Sequence, residues 1–174
     1  MAGSLILVDQ EIISSPVSTV TLTGINSTFD VYRLEFSNVF ASADDDVQIR
    51  VTTGGTADDD SQYDIASKDL KTSGAFGNTS GTDETKWDFS AGIGTSGTNS
   101  QNGNMYLFNF NNSSEYSFVT MENVTTRTDA SDELFGFQGG GVHTVAEAND
   151  GIHFFLAGGN NFTSGKFSLY GYKK

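Results

Sequence analysis

The chain has 174 residues, the size of a single folded domain. It carries 9 Lys and Arg against 22 Asp and Glu, a formal net charge of −13, and this acidity argues against nucleic-acid binders and against proteins that dock on anionic lipid. There are no cysteines, which excludes disulfides, thiolate catalysis and cysteine-ligated metal centres.

The polar part of the composition is small and mostly uncharged. The chain has 20 Gly, 20 Ser, 19 Thr and 13 Asn, together 72 of its 174 residues. These residues favour turns, loops and strand surfaces over helices. The 14 Phe and 6 Tyr argue against a disordered chain, because disordered chains are poor in aromatic residues. The composition therefore predicts an all-β protein with long Gly/Ser/Thr/Asn-rich loops.

Residues 1–15 are expected to form an N-terminal arm or an edge strand. The apolar run Leu5–Val8 is short, no basic residue precedes it, and Asp9 and Glu11 follow it. These features are typical of neither a signal peptide nor a membrane span.

Alternation of apolar and polar residues predicts about ten strands along the chain. It is clearest in Phe29–Asn38 and Val47–Thr52, where every second residue is apolar. Each such strand places one face on a core and the other toward water or a partner. The residues predicted for the core are Leu34, Phe36, Ile49, Val51, Leu107, Phe154 and Leu169.

Two polar stretches, 72–84 and 91–104, interrupt this rhythm and are predicted to be long surface loops. Asn111–Ser114 and Asn149–Gly151 have the residues of hairpin turns. No sustained helical pattern is present, and Ala130–Phe137 is the best short helical candidate. The pattern predicts one antiparallel β-sandwich over residues 1–174, of the jelly-roll kind.

One predicted strand, Asn104–Phe110, is apolar on both faces. Such a strand must be covered twice, and a domain of this size offers one core. The second cover is either a loop such as 72–84 folded back or another subunit. Tyrosines on the last strand offer a second contact surface. The predicted interface residues are Tyr106, Phe108, Phe110, Tyr170 and Tyr172.

Nucleotide motifs are present only in incomplete form. Gly92–Gly97 matches GxGxxG, but the polar residues that follow do not start a helix, so a flexible loop is predicted. Gly159 to Lys166 resembles a P-loop that is one residue too long, and Phe167 stands where a magnesium-binding hydroxyl is needed. We expect no nucleotide cofactor.

Metal and catalytic sites are weakly indicated. The triplets Asp44–Asp46 and Asp58–Asp60 are predicted to be solvated acidic loops, with a weak calcium site at either as the alternative. Alternation along one strand would set His143 and Glu147 about 13 Å apart, too far to share an ion. Because no enzyme motif remains, the chain is expected to be neither an enzyme nor a metalloprotein and to need no cofactor.

The last strand carries a family resemblance. Ser164–Tyr172 reads SGKFSLYGY, and with Val31–Phe36 and Val47–Val51 it resembles a loose group of tailed-phage virion proteins whose β-sandwich ends in a strand reading roughly SG-x-x-x-LYG. The resemblance implies a virion structural protein, commonly trimeric, that binds itself and a capsid or tail protein. It implies assembly in the host cytoplasm, and it carries over no catalytic residues.

Within that group, a capsid decoration (cement) protein is favoured, because no heptad, collagen or β-helix repeats form the shaft that a complete fibre needs. The alternatives are a tail or head fibre tip, a carbohydrate-binding module for host recognition, and a fragment of a polysaccharide-degrading enzyme. Fourteen Phe against one Trp favour core and interface roles over sugar-stacking platforms.

Overall fold

Two antiparallel sheets pack face to face in the computed structural model, which describes residues 4–90, 92–95, 97–127 and 133–173. These residues form strands and no helix, which confirms the predicted all-β sandwich. The strands are β1 (Leu5–Ile13), β2 (Thr19–Thr23), β3 (Val31–Ala41), β4 (Val47–Thr53), β5 (Thr56–Ala57), β6 (Tyr63–Lys71), β7 (Phe76–Glu84), β8 (Trp87–Asp88), β9 (Gln101–Phe108), β10 (Ser117–Arg127), β11 (Glu133–His143), β12 (Gly151–Leu156) and β13 (Phe162–Tyr172).

The larger sheet has eight strands in the order β1-β13-β3-β9-β10-β11-β6-β7. The smaller sheet has five strands, in the order β2-β12-β4-β5 with β8 paired to β4. Its strand β12 lies between β2 and β4, with Phe154 opposite both Val20 and Ile49. The described residues contain no helix long and apolar enough to span a membrane.

Aromatic side chains join the two sheets across the core. The Phe154 ring of the small sheet lies 4.9 Å from Phe167 and 6.2 Å from Phe36, both of the large sheet. Phe162 packs edge-on against Phe167 at 5.7 Å. All the residues predicted for the core are buried: Leu34, Phe36, Ile49, Val51, Leu107, Phe154 and Leu169.

The two ends of the large sheet are edge strands. Strand β1 pairs with β13 from Leu5 to Ile13, so the segment 1–15 supplies one edge within the described residues. The prediction of a loop over residues 72–84 is wrong for most of its length, because β7 occupies Phe76–Glu84 at the other edge. Backbone hydrogen bonds to β6 hold this polar segment, and they need no apolar side chains.

The segment 91–104 is only in part a loop. Strand β9 begins at Gln101, and before it the described residues fold back onto the sandwich. Ile93 is fully buried, and its N–H donates to the Asp45 carbonyl at 2.8 Å. The buried side chain of Ile93 and this hydrogen bond hold in place part of a segment whose composition predicts a loop.

Two local predictions concern the region before β12. The helical candidate Ala130–Phe137 is strand β11 from Glu133 onward, and residues 130–132 lie outside the described residues. The predicted hairpin at Asn149–Gly151 is wrong, because β11 belongs to the large sheet and β12 to the small one. This turn carries the chain across the sandwich, whereas Asn111–Ser114 does join the paired strands β9 and β10.

We expect Phe154→Ala to lower the free energy of unfolding by roughly 3–5 kcal/mol, since it removes the ring that packs against both Phe36 and Phe167. Phe76→Ala is the matched control, because that ring is 67% exposed on the edge strand β7. Chemical denaturation measures both. Equal losses in the two variants would contradict this account of the core.

Candidate functional site

Aromatic side chains line one end of the outer face of the large sheet, the face that points away from the core. Tyr106 lies opposite Arg33, and Phe108 lies opposite Phe118, so the residues of each pair share that face. Tyr170 also lies opposite Arg33. We call Tyr106, Phe108, Phe118, Tyr170 and Tyr172 the aromatic patch.

Three rings of the aromatic patch, those of Phe108, Tyr106 and Tyr172, are arranged in a row. Tyr106 lies 6.5 Å from Phe108 and 6.1 Å from Tyr172, with its ring nearly parallel to each, at 21° and 20°. The guanidinium of Arg33 sits 5.8 Å from the centre of the Tyr106 ring. Such offset and cation–π contacts restrict the positions of these rings.

The apolar surface continues from the aromatic patch onto the edge strand β1. Leu5 pairs with Tyr172 and Leu7 pairs with Tyr170, so both leucines point to the same face. They are 41% and 51% exposed. Phe118, on the other side of the patch, is 46% exposed. A contiguous apolar surface therefore spans several strands.

Phe110 departs from the prediction that it belongs to this surface. It is 2% exposed and lies in the core. Strand β9 ends at Phe108, and Asn109 adopts a positive φ of 62°. This left-handed residue breaks the two-residue alternation and turns the next side chain inward. The other predicted interface residues, Tyr106, Phe108, Tyr170 and Tyr172, are partly exposed on the outer face.

Beside the aromatic patch, the same face holds a polar depression, which we call the polar trough. It consists of two adjoining hollows of about 520 and 640 Å³ that share Arg33, Asn104 and Glu122. Arg33 forms an ion pair with Glu35 at 2.8 Å, and its buried Nε atom has no hydrogen-bond partner among the described residues. Gln138 donates from Nε2 to Glu122 at 2.8 Å.

A second cluster lies where the chain crosses between the sheets. His143, the last residue of β11, is completely buried, and its ring lies 5.0 Å from that of Tyr63. Its Nε2 atom is 2.9 Å from the Asp58 carboxylate, and its Nδ1 atom is 3.9 Å from the Glu147 carboxylate. We call Asp58, His143 and Glu147 the histidine cluster.

Tyr63 holds one side of the histidine cluster in place. Its hydroxyl donates to the carbonyl of Asp58 at 2.8 Å and accepts from the N–H of Val51 at 3.2 Å. Burial raises the pKa of Tyr63, so its phenol keeps the proton that it donates.

The histidine cluster corrects the prediction that His143 and Glu147 are too far apart to share an ion. Strand β11 ends at His143, so the expected extended spacing does not apply. Thr144 is anchored by its N–H to the Gln62 carbonyl at 2.8 Å, and a turn then brings Glu147 back. Asp58 joins from 85 residues away, a pairing for which the sequence carries no local signal.

Two carboxylates of the acidic triplet Asp44–Asp46 connect neighbouring loops. The Asp45 carboxylate accepts from the N–H of Gly158 at 2.9 Å and from the Asn160 amide at 2.8 Å, and Asp46 accepts from the N–H of Gly92 at 2.6 Å. Burial raises the pKa of Asp46. These carboxylates fasten neighbouring loops through their amide hydrogens, and the calcium alternative stays a prediction.

No family model and no curated protein matches the chain. Among solved structures, a fructofuranosidase from Schwanniomyces occidentalis complexed with fructosylnystose has 8% identity over 98% of this chain and 34% of its own, with a TM-score of 0.23. The structure of infectious bursal disease virus Gt strain has 15% identity over 99% of this chain and 42% of its own, with a TM-score of 0.14. The chain thus spans about a third to two fifths of their lengths, and similarity at these TM-scores assigns no function.

We expect Tyr172→Phe to lower the pKa of Tyr106. The neighbouring Tyr172 hydroxyl raises the pKa of Tyr106 above its ordinary value, because it favours the protonated phenol. A tyrosinate titration followed by ultraviolet absorbance or NMR measures the shift, with Tyr116→Phe, an exposed tyrosine outside the aromatic patch, as the control. An unchanged Tyr106 pKa in Tyr172→Phe would contradict the contact.

Proposed function

We propose that the chain is a non-enzymatic structural protein of a tailed-phage virion, a capsid decoration protein that attaches to neighbouring protein subunits through the aromatic patch. The observation that carries the proposal is the apolar surface formed by the patch and by Leu5 and Leu7 of the adjoining edge strand. The resemblance of Ser164–Tyr172 to the closing strand of such proteins supports the virion setting.

The aromatic patch has the make-up of a protein-binding surface. Tyrosine and phenylalanine are enriched at the centres of interfaces, where rigid rings bury much area at low entropic cost. Polar and charged groups border the patch on the side of the trough, among them Glu35 and Glu122. An apolar centre with a polar rim is the usual anatomy of a specific interface.

The charge of the chain suits an exposed place on a particle. A net charge of −13 repels both nucleic acid and other copies at long range. Attachment then needs a short-range apolar contact, which the aromatic patch offers. The partner in this proposal is a capsid protein or another copy of this chain, with a trimer as the assembly.

We expect the isolated protein to form trimers that Tyr172→Ser and Phe108→Ser convert to monomers. The substitutions replace rings at the centre of the apolar surface, and Phe155→Ser, on the outer face of the small sheet beneath Arg50, is the control. Light scattering during gel filtration gives the mass. Cross-linking in intact particles then identifies the neighbour. A monomer at every concentration, with no cross-link from the patch in a particle, would contradict the proposal.

A second candidate function is glycan binding in the polar trough. Its planar amide, carboxylate and guanidinium groups suit sugar hydroxyls, and Tyr106 and Tyr170 stand at its margins. Arg33, Asn104 and Glu122 border both hollows, so charged and amide groups face a sugar in either. This arrangement fits the host-recognition alternative, in which the domain is the tip of a fibre.

For this candidate, we expect glycan-array binding that Asn104→Ala abolishes. Asn104 borders both hollows of the polar trough, so its amide is placed to contact a sugar in either. Asn78→Ala is the matched control, since Asn78 is exposed on the same sheet but lies on the edge strand β7. Equal binding by the two variants, or no binding to any glycan by the unmodified chain, would count against the trough as a sugar site.

A further inference from the structure

We infer that His143 binds a divalent transition-metal ion through Nδ1 together with the carboxylate of Glu147, with Zn²⁺ as the representative ion. The site would lie at the end of the sandwich where the chain leaves the large sheet for the small one.

The hydrogen bonding of the two nitrogens of the His143 ring leads to this inference. Asp58 lies 2.9 Å from Nε2 and accepts a hydrogen bond from the N–H at that position. In the neutral ring, Nδ1 then carries a lone pair. That atom is buried without a hydrogen-bond partner in the part of the chain that the structure describes. A carboxylate that holds the far nitrogen of a histidine is the usual support of a metal-bound imidazole.

The distance across the cluster suits an ion. The Nδ1 atom lies 3.9 Å from the Glu147 carboxylate, which is too long for a hydrogen bond. Zinc binds nitrogen and oxygen at about 2.0–2.2 Å, so two ligands of one tetrahedral ion stand roughly 3.4 Å apart. A small movement of Glu147, which is partly exposed, would bring both atoms to bonding distance.

Oxygen atoms around Glu147 provide the second, independent observation. The Thr53 hydroxyl lies 3.1 Å from the Glu147 carboxylate and 3.2 Å from the side-chain oxygen of Asn149. One hydroxyl proton cannot serve both acceptors. The Asn149 amide group donates to Ser117 at 2.8 Å, which directs its oxygen toward Thr53. Among the described residues the Glu147 carboxylate therefore has no more than this one hydroxyl as a hydrogen-bond donor, which leaves it open to a cation.

The ligand chemistry distinguishes the ion. Calcium and magnesium prefer sites made only of oxygen, whereas an imidazole with a carboxylate suits zinc and its neighbours. Asp58 follows β5, His143 ends β11, and Glu147 lies in the crossing to β12. An ion bound by His143 and Glu147 would fasten the crossing to the end of β11, and the hydrogen bond between Asp58 and His143 links both to the segment after β5.

The test uses the full chain after treatment with a chelator. Calorimetric titration with Zn²⁺ should give one site, and Zn²⁺ at about a hundred times Kd should raise Tm by roughly 5–10 °C. Glu147→Gln should weaken Zn²⁺ binding at least about tenfold. Asp59→Asn is the matched control, because it removes one charge from the exposed residue next to Asp58 and should leave Kd unchanged.

Substituting the buried His143 would disturb folding as well as binding. A spectroscopic measurement on the unmodified protein avoids this problem. Nitrogen NMR of the unmodified protein should show Zn²⁺ shifting Nδ1 of His143 while Nε2 keeps its proton. The inference is overturned if Zn²⁺ at about 1 mM produces no heat of binding and no change in Tm. It is also overturned if Asp59→Asn weakens binding as much as Glu147→Gln, or if the ion binds His153, the other histidine of the chain. A third contrary result is a His143 ring that carries protons on both nitrogens and does not respond to Zn²⁺.

Discussion

The fold depends on covering the inner face of an eight-stranded sheet with a partner sheet of five shorter strands. The segment between β7 and β9 adds to this cover with Trp87 of β8 and with Phe89 and Ile93 beyond it, all fully buried. The Trp87 indole donates to the Asp64 carbonyl of the large sheet at 3.2 Å. Gly141 is required beneath it, because a Cβ there would lie 2.5 Å from the indole nitrogen.

Because the core uses only the inner face of the central strands β13, β3, β9 and β10, their outer face is available for other contacts. Strand alternation alone places Tyr106 and Phe108 there, and neighbouring strands add Phe118 and Tyr172. These rings remain at least partly exposed among the described residues. An apolar surface next to a polar trough offers two chemistries, protein contact and sugar contact, on a single rigid platform.

The sequence predicted the sandwich and its core because alternation is a local signal: Phe36, Ile49 and Phe154 could be assigned one at a time. Prediction from the sequence failed where contacts between residues distant in the chain, or the conformation of a single residue, determine the local structure. Strand β7 exists because β6 offers it backbone partners, and Phe110 turns inward because Asn109 takes a left-handed conformation. The histidine cluster was beyond prediction from the sequence, since the folded topology alone brings Asp58 to His143.

The histidine cluster and the aromatic patch are connected through the backbone. The N–H of Asn149 donates to the Phe110 carbonyl at 2.7 Å, just beyond the strand that carries Tyr106 and Phe108. Asn149 also borders Glu147 through Thr53. These contacts join the crossing between the sheets to the residue that follows the end of β9. An ion at His143 would stiffen the platform on which the patch is built, and a chain without disulfides gains stability from such a fastening.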